Sequence, residues 1–435
     1  MAERREVLMT GQSFRFLHTS GFRLESTLTG LAEVPDHLRD LLVNAPFQAV
    51  EHVTEAAIRE DVDFVLLTGD IVDPTCSGPA ALAFLQRLCE QLKTRKIAVY
   101  WAASRLDLAN DFLRQLQLPD NVRIFPSDHV ERVTHFRGQS PICTLFGRSW
   151  HEKRPLRAAE FVRENQEGFQ IAVLYGRGDL DTAPRAGLHY WALGDSATAS
   201  DLASTKTHVV HSPGRPQGFD PGAVGPHTCS LVGVDGEGEI RVRRIETDAV
   251  RWHEERLLVD GSSSLRDARQ SFRSHVERLL VGQRQPLLVK WLVTGSGRFD
   301  TPLVRAKERE EILDWLRNDY GHRTPALWSL QLNVEPPEAI TDDWCDDDSI
   351  LGDYLRTIRG QMQPDQPPLD LSGYLPQLAL PQEVLHDLVG NDPQVSAATL
   401  RESAVWGFDL LRGDEAPGRN KAQYSSHADV EGVTT

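Results

Sequence analysis

Cysteine is scarce. Five residues, at positions 76, 89, 143, 229 and 345 of 435, make an odd, widely spaced set with no C-x-x-C. A disulfide framework or zinc site is not expected from such a set; buried, inert thiols in a reducing compartment are. Positive charge is short as well: 47 Lys and Arg stand against 63 Asp and Glu, a formal net charge of −16 at pH 7. A protein held to nucleic acid by a broadly basic surface would show the opposite balance. The acidic total favours solubility and carries no information about fold. No stretch approaches the roughly 18 apolar residues of a membrane span, and the opening MAERREVLMTGQSFRF lacks the apolar run of a signal peptide. A cytoplasmic protein with no membrane partner is expected. Internal repeats are absent, and 40% hydrophobic with 25% charged residues is an ordinary globular composition. Collagen-like, low-complexity and wholly disordered classes are thereby excluded.

What is present is an alternation of apolar runs and helical periodicity. FRFLH (14–18) reads as a short strand, and Phe47, Val50, Val53, Ala57 and Ile58 recur at helical spacing over 46–61. DFVLLTGD (63–70) is a continuous apolar run ending in Gly-Asp, the pattern of a buried parallel strand entering a polar loop. A helix is expected over 79–95, and buried strands at IAVYWAA (97–103), IAVLYG (171–176) and HYWALGD (189–195). Strands alternating with helices imply an α/β layered domain. From about 208 to 260 the pattern turns to strands with Gly-rich turns, Asp235-Gly236 marking a hairpin. A first domain is therefore drawn over 12–260. GSSS (261–264) is a boundary, with Ser264 as the N-cap of LRDARQSFRSHVERLL. PLLVKWLVTGSG, REEILDWLRNDYG and ALWSLQLNVEP then read as strand, helix and strand of a smaller domain, 261–340. An acidic run opens an amphipathic helix over 342–363, a Pro-rich linker follows, and a helical pair spans roughly 383–413. This makes a helical region, 341–413, with a polar tail, 414–435, expected to be disordered.

The polar residues worth attention sit where the apolar runs end: LHTSGFRLE, LLTGDIVD, VYWAASRLD, IAVLYGRGD and HYWALGDSA. With these blocks in this order the chain resembles the calcineurin-like metallophosphoesterases and, within them, the SbcD-type DNA repair exonucleases. The resemblance covers about 14–260, and the order of elements continues beyond it. It implies an α/β fold: a metallophosphoesterase-type β-sandwich flanked by helices, a small α+β capping domain that contacts DNA, and C-terminal helices that dock a coiled-coil SbcC-type ATPase. It also implies two metal ions at the C-terminal strand ends, held by Asp-x-His, Gly-Asp, Gly-Asn-His-Asp/Glu, a lone His and Gly-His-x-His. Two hard divalent cations about 3.5–4 Å apart need such carboxylates and imidazoles, with one bridging Asp, to activate water and clamp phosphate oxygens.

The ligands those blocks imply are mostly missing. Gly21 and Arg23 stand at the Asp and His positions of the first block; glycine has no donor and arginine keeps its proton. Gly69 and Asp70 match the second block, Asp70 at the bridging carboxylate, and Asp73 fits the local pattern. Ser104, Arg105 and Leu106 replace Gly-Asn-His, leaving Asp107. Tyr175 replaces the lone His, and Asp195 and Ala197 replace the last two histidines. The expectation is that the two-metal site is lost, with no cofactor unless Asp70, Asp107 and Asp195 rebuild a Mn²⁺ or Mg²⁺ site. Arg23 and Arg105 would instead favour an anion. His18, His189, His208, His211 and His227 lie near the motifs but off ligand positions and read as structural, and Trp101, Trp191, Trp252 and Trp291 read as core. GRGD (176–179) reads as a loop turn.

Three functions follow. The first is a non-catalytic member of the SbcD-type family, a pseudoenzyme acting as a binding or regulatory subunit in DNA metabolism. The second is a metal-dependent phosphodiesterase or exonuclease with a rearranged carboxylate site. The third is an anion or nucleotide sensor. Ile350, Leu351, Tyr354, Leu355 and Ile358 have the spacing of one docking face for the ATPase, or of an internal contact. DNA and a second copy of the chain remain open as partners.

Overall fold

The computed structural model describes residues 12–31, 34–73, 78–108, 117–161, 168–176, 187–259, 264–295, 303, 305–335, 340, 342–363 and 393–412. No helix among them is long and apolar enough to cross a membrane. The chain forms two compact units: Met1–His253 with Arg284–Leu288 and Thr324–Ala326, and Glu254–Gln283 with Val289–Arg323 and Leu327–Thr435.

The first unit runs β1 (Phe14–Thr19), α1 (Asp36–Arg59), β2 (Phe64–Leu67), α2 (Pro79–Thr94), β3 (Ala98–Trp101), β4 (Val122–Ile124), β5 (Glu131–Arg137), β6 (Ser140–Arg148), β7 (Phe169–Leu174), β8 (Tyr190–Leu193), β9 (Ala199–Ser204), β10 (Val209–Pro213), β11 (Thr228–Val234) and β12 (Ile240–Glu246). Two six-stranded mixed sheets result, in the orders β12-β11-β1-β2-β3-β4 and β5-β6-β7-β8-β10-β9. The expected strands are all present. β2, β7 and β8 are buried at every position, as continuous apolar runs should be.

α2 starts at Pro79, where a missing N–H costs nothing. α1 begins ten residues before the expected start, because Pro46 lies inside the helix rather than at its head. Upstream Leu38, Leu42 and Ala45 continue the buried face, and their packing offsets the roughly 3 kcal/mol an internal proline costs.

The core has two layers. Between the sheets, Phe14, Phe16, Phe64, Tyr100, Phe125, Phe169 and Tyr190 pack together, with the Phe16 and Phe64 rings stacked at 5.0 Å. Outside the first sheet, Val53, Ala57, Leu85, Leu88 and Leu92 of α1 and α2 cover Leu17, Val65, Leu67, Val99 and Trp101. Histidines cross-link the sheets. His18 contacts the Tyr190 hydroxyl and Thr68 Oγ1, each at 3.0 Å. His211 Nε2 meets Ser230 Oγ at 2.7 Å, and Tyr100 Oη meets His135 Nδ1 at 2.8 Å. Trp101, Trp191, Trp252 and Trp291 are fully buried, and Cys89, Cys143, Cys229 and Cys345 are free and buried; Cys76 lies outside the described residues.

The second unit contains most of β13 (Arg251–Val259) and of β14 (Leu287–Gly295), with α3 (Leu265–Leu280), α4 (Ala306–Tyr320), β15 (Leu327–Val334), α5 (Asp342–Cys345), α6 (Ile350–Gln361) and α7 (Pro393–Arg412). Its sheet has the order β13-β14-β15. RWHEERLLVD thus forms the expected strand, but its hydrogen-bond partner belongs to this small sheet. Ser264 and Asp267 close the capping box of α3. Leu351, Leu355 and Ile358 of α6 pack against Leu400, Ala404 and Phe408 of α7, so the apolar face read as a docking face is largely covered within its own unit. The Pro-rich linker, the start of the expected helical pair and the polar tail lie outside the described residues.

Candidate functional site

The five polar blocks lie at the C-terminal ends of β1, β2, β3, β7 and β8. β1 and β2 pair in parallel, and the pairing continues into their loops: Gly21 N–H donates to Gly69 O (2.9 Å), Arg23 N–H to Asp70 O (3.1 Å) and Leu24 N–H to Ile71 O (3.3 Å). The loops turn through left-handed conformations at Gly21 (φ 66), Arg23 (φ 44), Gly69 (φ 74), Asp70 (φ 56) and Asp195 (φ 68). Aspartate tolerates this region; for Arg23 it is strained.

Two of the motif glycines make room for side chains. A Cβ on Gly21 would lie 2.6 Å from Arg215 Cγ, so this glycine seats the stem of Arg215. A Cβ on Gly69 would lie 2.2 Å from the Tyr175 ring and 2.9 Å from Ser104 Cβ. The Tyr175 ring therefore packs directly against the Gly-Asp turn. Its hydroxyl donates to Asp70 Oδ1 at 2.9 Å and lies 3.4 Å from Asp195 Oδ1. Burial first, then the Asp70 charge, pushes the phenol far above its ordinary pKa, so it stays a neutral donor.

Asp107 is fully buried and fastens the loops. Its Oδ1 accepts from Ile71 N–H (2.9 Å) and Val72 N–H (3.1 Å), and its Oδ2 from Ser104 N–H (2.8 Å). Burial raises its pKa to about 6 against those hydrogen bonds, and Asp70 adds to the rise. Both its oxygens are committed to backbone.

Arg23 is half-buried, with Nε enclosed and unbonded. The cation beside it is Arg215, from the loop after β10, also half-buried. Burial and then the Arg23 charge lower Arg215, while Asp70 and Tyr175 act in the opposite direction. Arg105 is exposed on the turn that Asp107 closes, Leu106 is half-buried, and Asp195 and Ala197 are exposed. Asp73 is half-buried. Sequence reading chose Arg105 as the second cation and missed Arg215, which comes 18 positions after the last motif residue, Ala197. A glycine at a ligand position is the one signal that something passes over it.

A pair of metal ions does not fit these residues. A guanidinium that never deprotonates, a neutral phenol and an alanine stand where the sequence resemblance implies ligands, and both Asp107 oxygens accept from backbone N–H groups. Among the described residues no three His, Cys, Asp or Glu side chains converge into a metal-holding group. His18, His189, His211 and His227 all have partners within the fold. A cavity of about 880 Å³ opens at the opposite strand ends, among Asp63, Lys96, Arg137, Gly233 and Arg241. Volume and motif thus disagree; the strained loops, the enclosed guanidinium and the perturbed Tyr175 and Asp107 all lie at the motif end.

Two packed mixed sheets flanked by helices, with Gly-Asp turns at the strand ends, define an α/β sandwich. No protein-family profile matches the chain. It is 25% identical over 334 residues, 74% of its own length and 81% of the other's, to a Bacillus subtilis (strain 168) protein named uncharacterized metallophosphoesterase YhaO. That match supports the metallophosphoesterase superfamily. A solved dimetal phosphatase from Danio rerio superposes with a TM-score of 0.34 and 8% identity, over 54% of this chain and 99% of that one, a likeness too slight to argue from.

Proposed function

We propose that the chain is a non-catalytic relative of the two-metal phosphoesterases, which keeps the scaffold and uses the cleft for binding. The observation that carries this is the state of Asp70. The one retained ligand receives the hydroxyl of Tyr175 and has the guanidinium of Arg215, with Arg23 beside it, in its electrostatic surroundings. A cation site would need neutral imidazoles and free carboxylates there. Fixed cations repel divalent metal, and without it water keeps the high pKa that makes hydroxide rare near neutral pH.

The test is Mn²⁺-dependent hydrolysis of single- and double-stranded DNA and of a small phosphodiester, beside Mn²⁺ titration calorimetry, with Asp70→Ala as the control. The expected result is no binding and no turnover above the control. Activity that vanishes in Asp70→Ala overturns the reading in favour of a rearranged carboxylate site. The resemblance to SbcD-type nucleases extends the proposal to a binding or regulatory subunit in DNA metabolism beside a coiled-coil ATPase, which co-purification with such an ATPase tests.

A further inference from the structure

We propose that Arg23 and Arg215 form a binding site for a single phosphoryl group, a phosphate monoester or free phosphate. This rests on the non-catalytic reading above and names the ligand class of that same cleft.

Apart from Arg401, whose Nε is also enclosed and unbonded, the half-buried and buried arginines elsewhere in the described residues have partners. Arg148 pairs with Glu160 and the Arg154 carbonyl, Arg251 with Asp248 and Glu246, and Arg317 donates to the Ser329 and Leu330 carbonyls. Arg23 and Arg215 are different. Among the described residues neither guanidinium has a hydrogen-bond or ion-pair partner, and Arg23 Nε is wholly enclosed. Two like charges brought together from separate loops, with their donors unused, suit an anion that accepts from both.

The placement is built. Gly21 leaves the space that Arg215 fills, and Arg23 is held at φ 44, a conformation that an arginine adopts only when its surroundings impose it. His227 Nδ1 lies 3.1 Å from the Arg215 carbonyl and anchors that loop from below.

The surroundings select the anion. Two planar forks match a tetrahedral phosphoryl group with several acceptor oxygens better than a planar carboxylate. Asp70 is occupied by Tyr175, and the Asp107 charge is spread over three backbone N–H groups. Asp195 is exposed beside Tyr175, and Asp220 acts on Arg215 from its own loop. These carboxylates leave the cleft unsuited to a long polyphosphate, so a monophosphate should bind more tightly than a triphosphate.

The experiment is thermal unfolding and titration calorimetry of the full chain with inorganic phosphate, a nucleoside 5′-monophosphate, the matching triphosphate and a 5′-phosphorylated oligonucleotide beside its 5′-hydroxyl form. Arg215→Met keeps the apolar stem over Gly21, and Arg23→Gly relieves the left-handed strain, so neither is expected to unfold the protein. The inference expects stabilisation by at least one monophosphate ligand, weakening at least tenfold in each variant, with the triphosphate weaker. Which ligand binds tightest identifies the source as free phosphate, nucleotide or a DNA 5′ end. Absence of binding by all of them, or binding in either variant as tight as in the wild type, overturns it. The Mn²⁺ assay on the same preparation separates the failures. No hydrolysis and no phosphate binding sinks this inference alone, whereas Mn²⁺-dependent hydrolysis removes the reading beneath it.

Discussion

Asp107 shows what a single buried carboxylate can do in a cleft that resembles a metal site. Its pKa is raised to about 6 from an ordinary 3.8, so between those values the folded protein binds more protons than the unfolded chain. Stability therefore falls as pH rises through this window, and the protonated form is the more stable one. The shift corresponds to about 3 kcal/mol at most. Asp107→Asn removes the titration while Oδ1 can still accept from Ile71 and Val72. In urea unfolding from pH 4 to 7, the wild type should gain on the variant by that order as pH falls from 6 to 4, other carboxylates cancelling in the difference. A constant difference across the range would show that Asp107 does not titrate there. At this scale the sequence was partly legible. Asp70 could be placed at a strand-end turn because the Gly-Asp block is local. Arg215 could not, since only the folding of the loop after β10 onto Gly21 brings it in. The role of Asp107 was equally hidden, because its partners are backbone N–H groups that no side-chain pattern encodes.

Elements were legible wherever one period dominated. DFVLLTGD and IAVYWAA became strands because continuous apolar residues suit burial on both faces. The start of α1 was misplaced because proline is a local stop signal that the buried face of Leu38, Leu42 and Ala45 overrides. β13 was read correctly as a strand, but a strand's own sequence does not say which sheet it joins. Helix α6 had an amphipathic pattern that fits a partner or a neighbour equally. Packing decides: Leu355 is 0% exposed under α7, while Ile350, of the same spacing, is 75% exposed. Leu355→Ala should therefore cost about 2–5 kcal/mol in the second unit, and Ile350→Ala less than about 0.5 kcal/mol, in urea unfolding followed by tryptophan fluorescence. Equal small effects would mean that α6 and α7 do not pack in solution as they do here.

For the whole molecule, charge decides what kind of phosphate can arrive. A protein that grips nucleic acid through many phosphates releases counterions and loses about 10³–10⁵ in affinity between 50 and 200 mM salt. This chain carries a net −16, and among the described residues the cleft holds the guanidinium pair Arg23 and Arg215. Contact with one phosphoryl group predicts a salt slope near that of one phosphate, and the remaining negative charge repels the rest of a strand most strongly at low salt. Two opposing trends then act on a 5′-phosphorylated oligonucleotide: local attraction that salt weakens, and global repulsion that salt screens. A nucleoside monophosphate meets mainly the first. Its affinity should fall gently from 50 to 300 mM salt, that of the oligonucleotide should stay flat or rise, and the two should converge at high salt. Fluorescence anisotropy of labelled strand, with calorimetry of the mononucleotide, measures both slopes. A steep loss of oligonucleotide affinity, with a slope of several phosphates, would locate a separate basic surface elsewhere on the molecule and move any DNA-linked role away from this cleft.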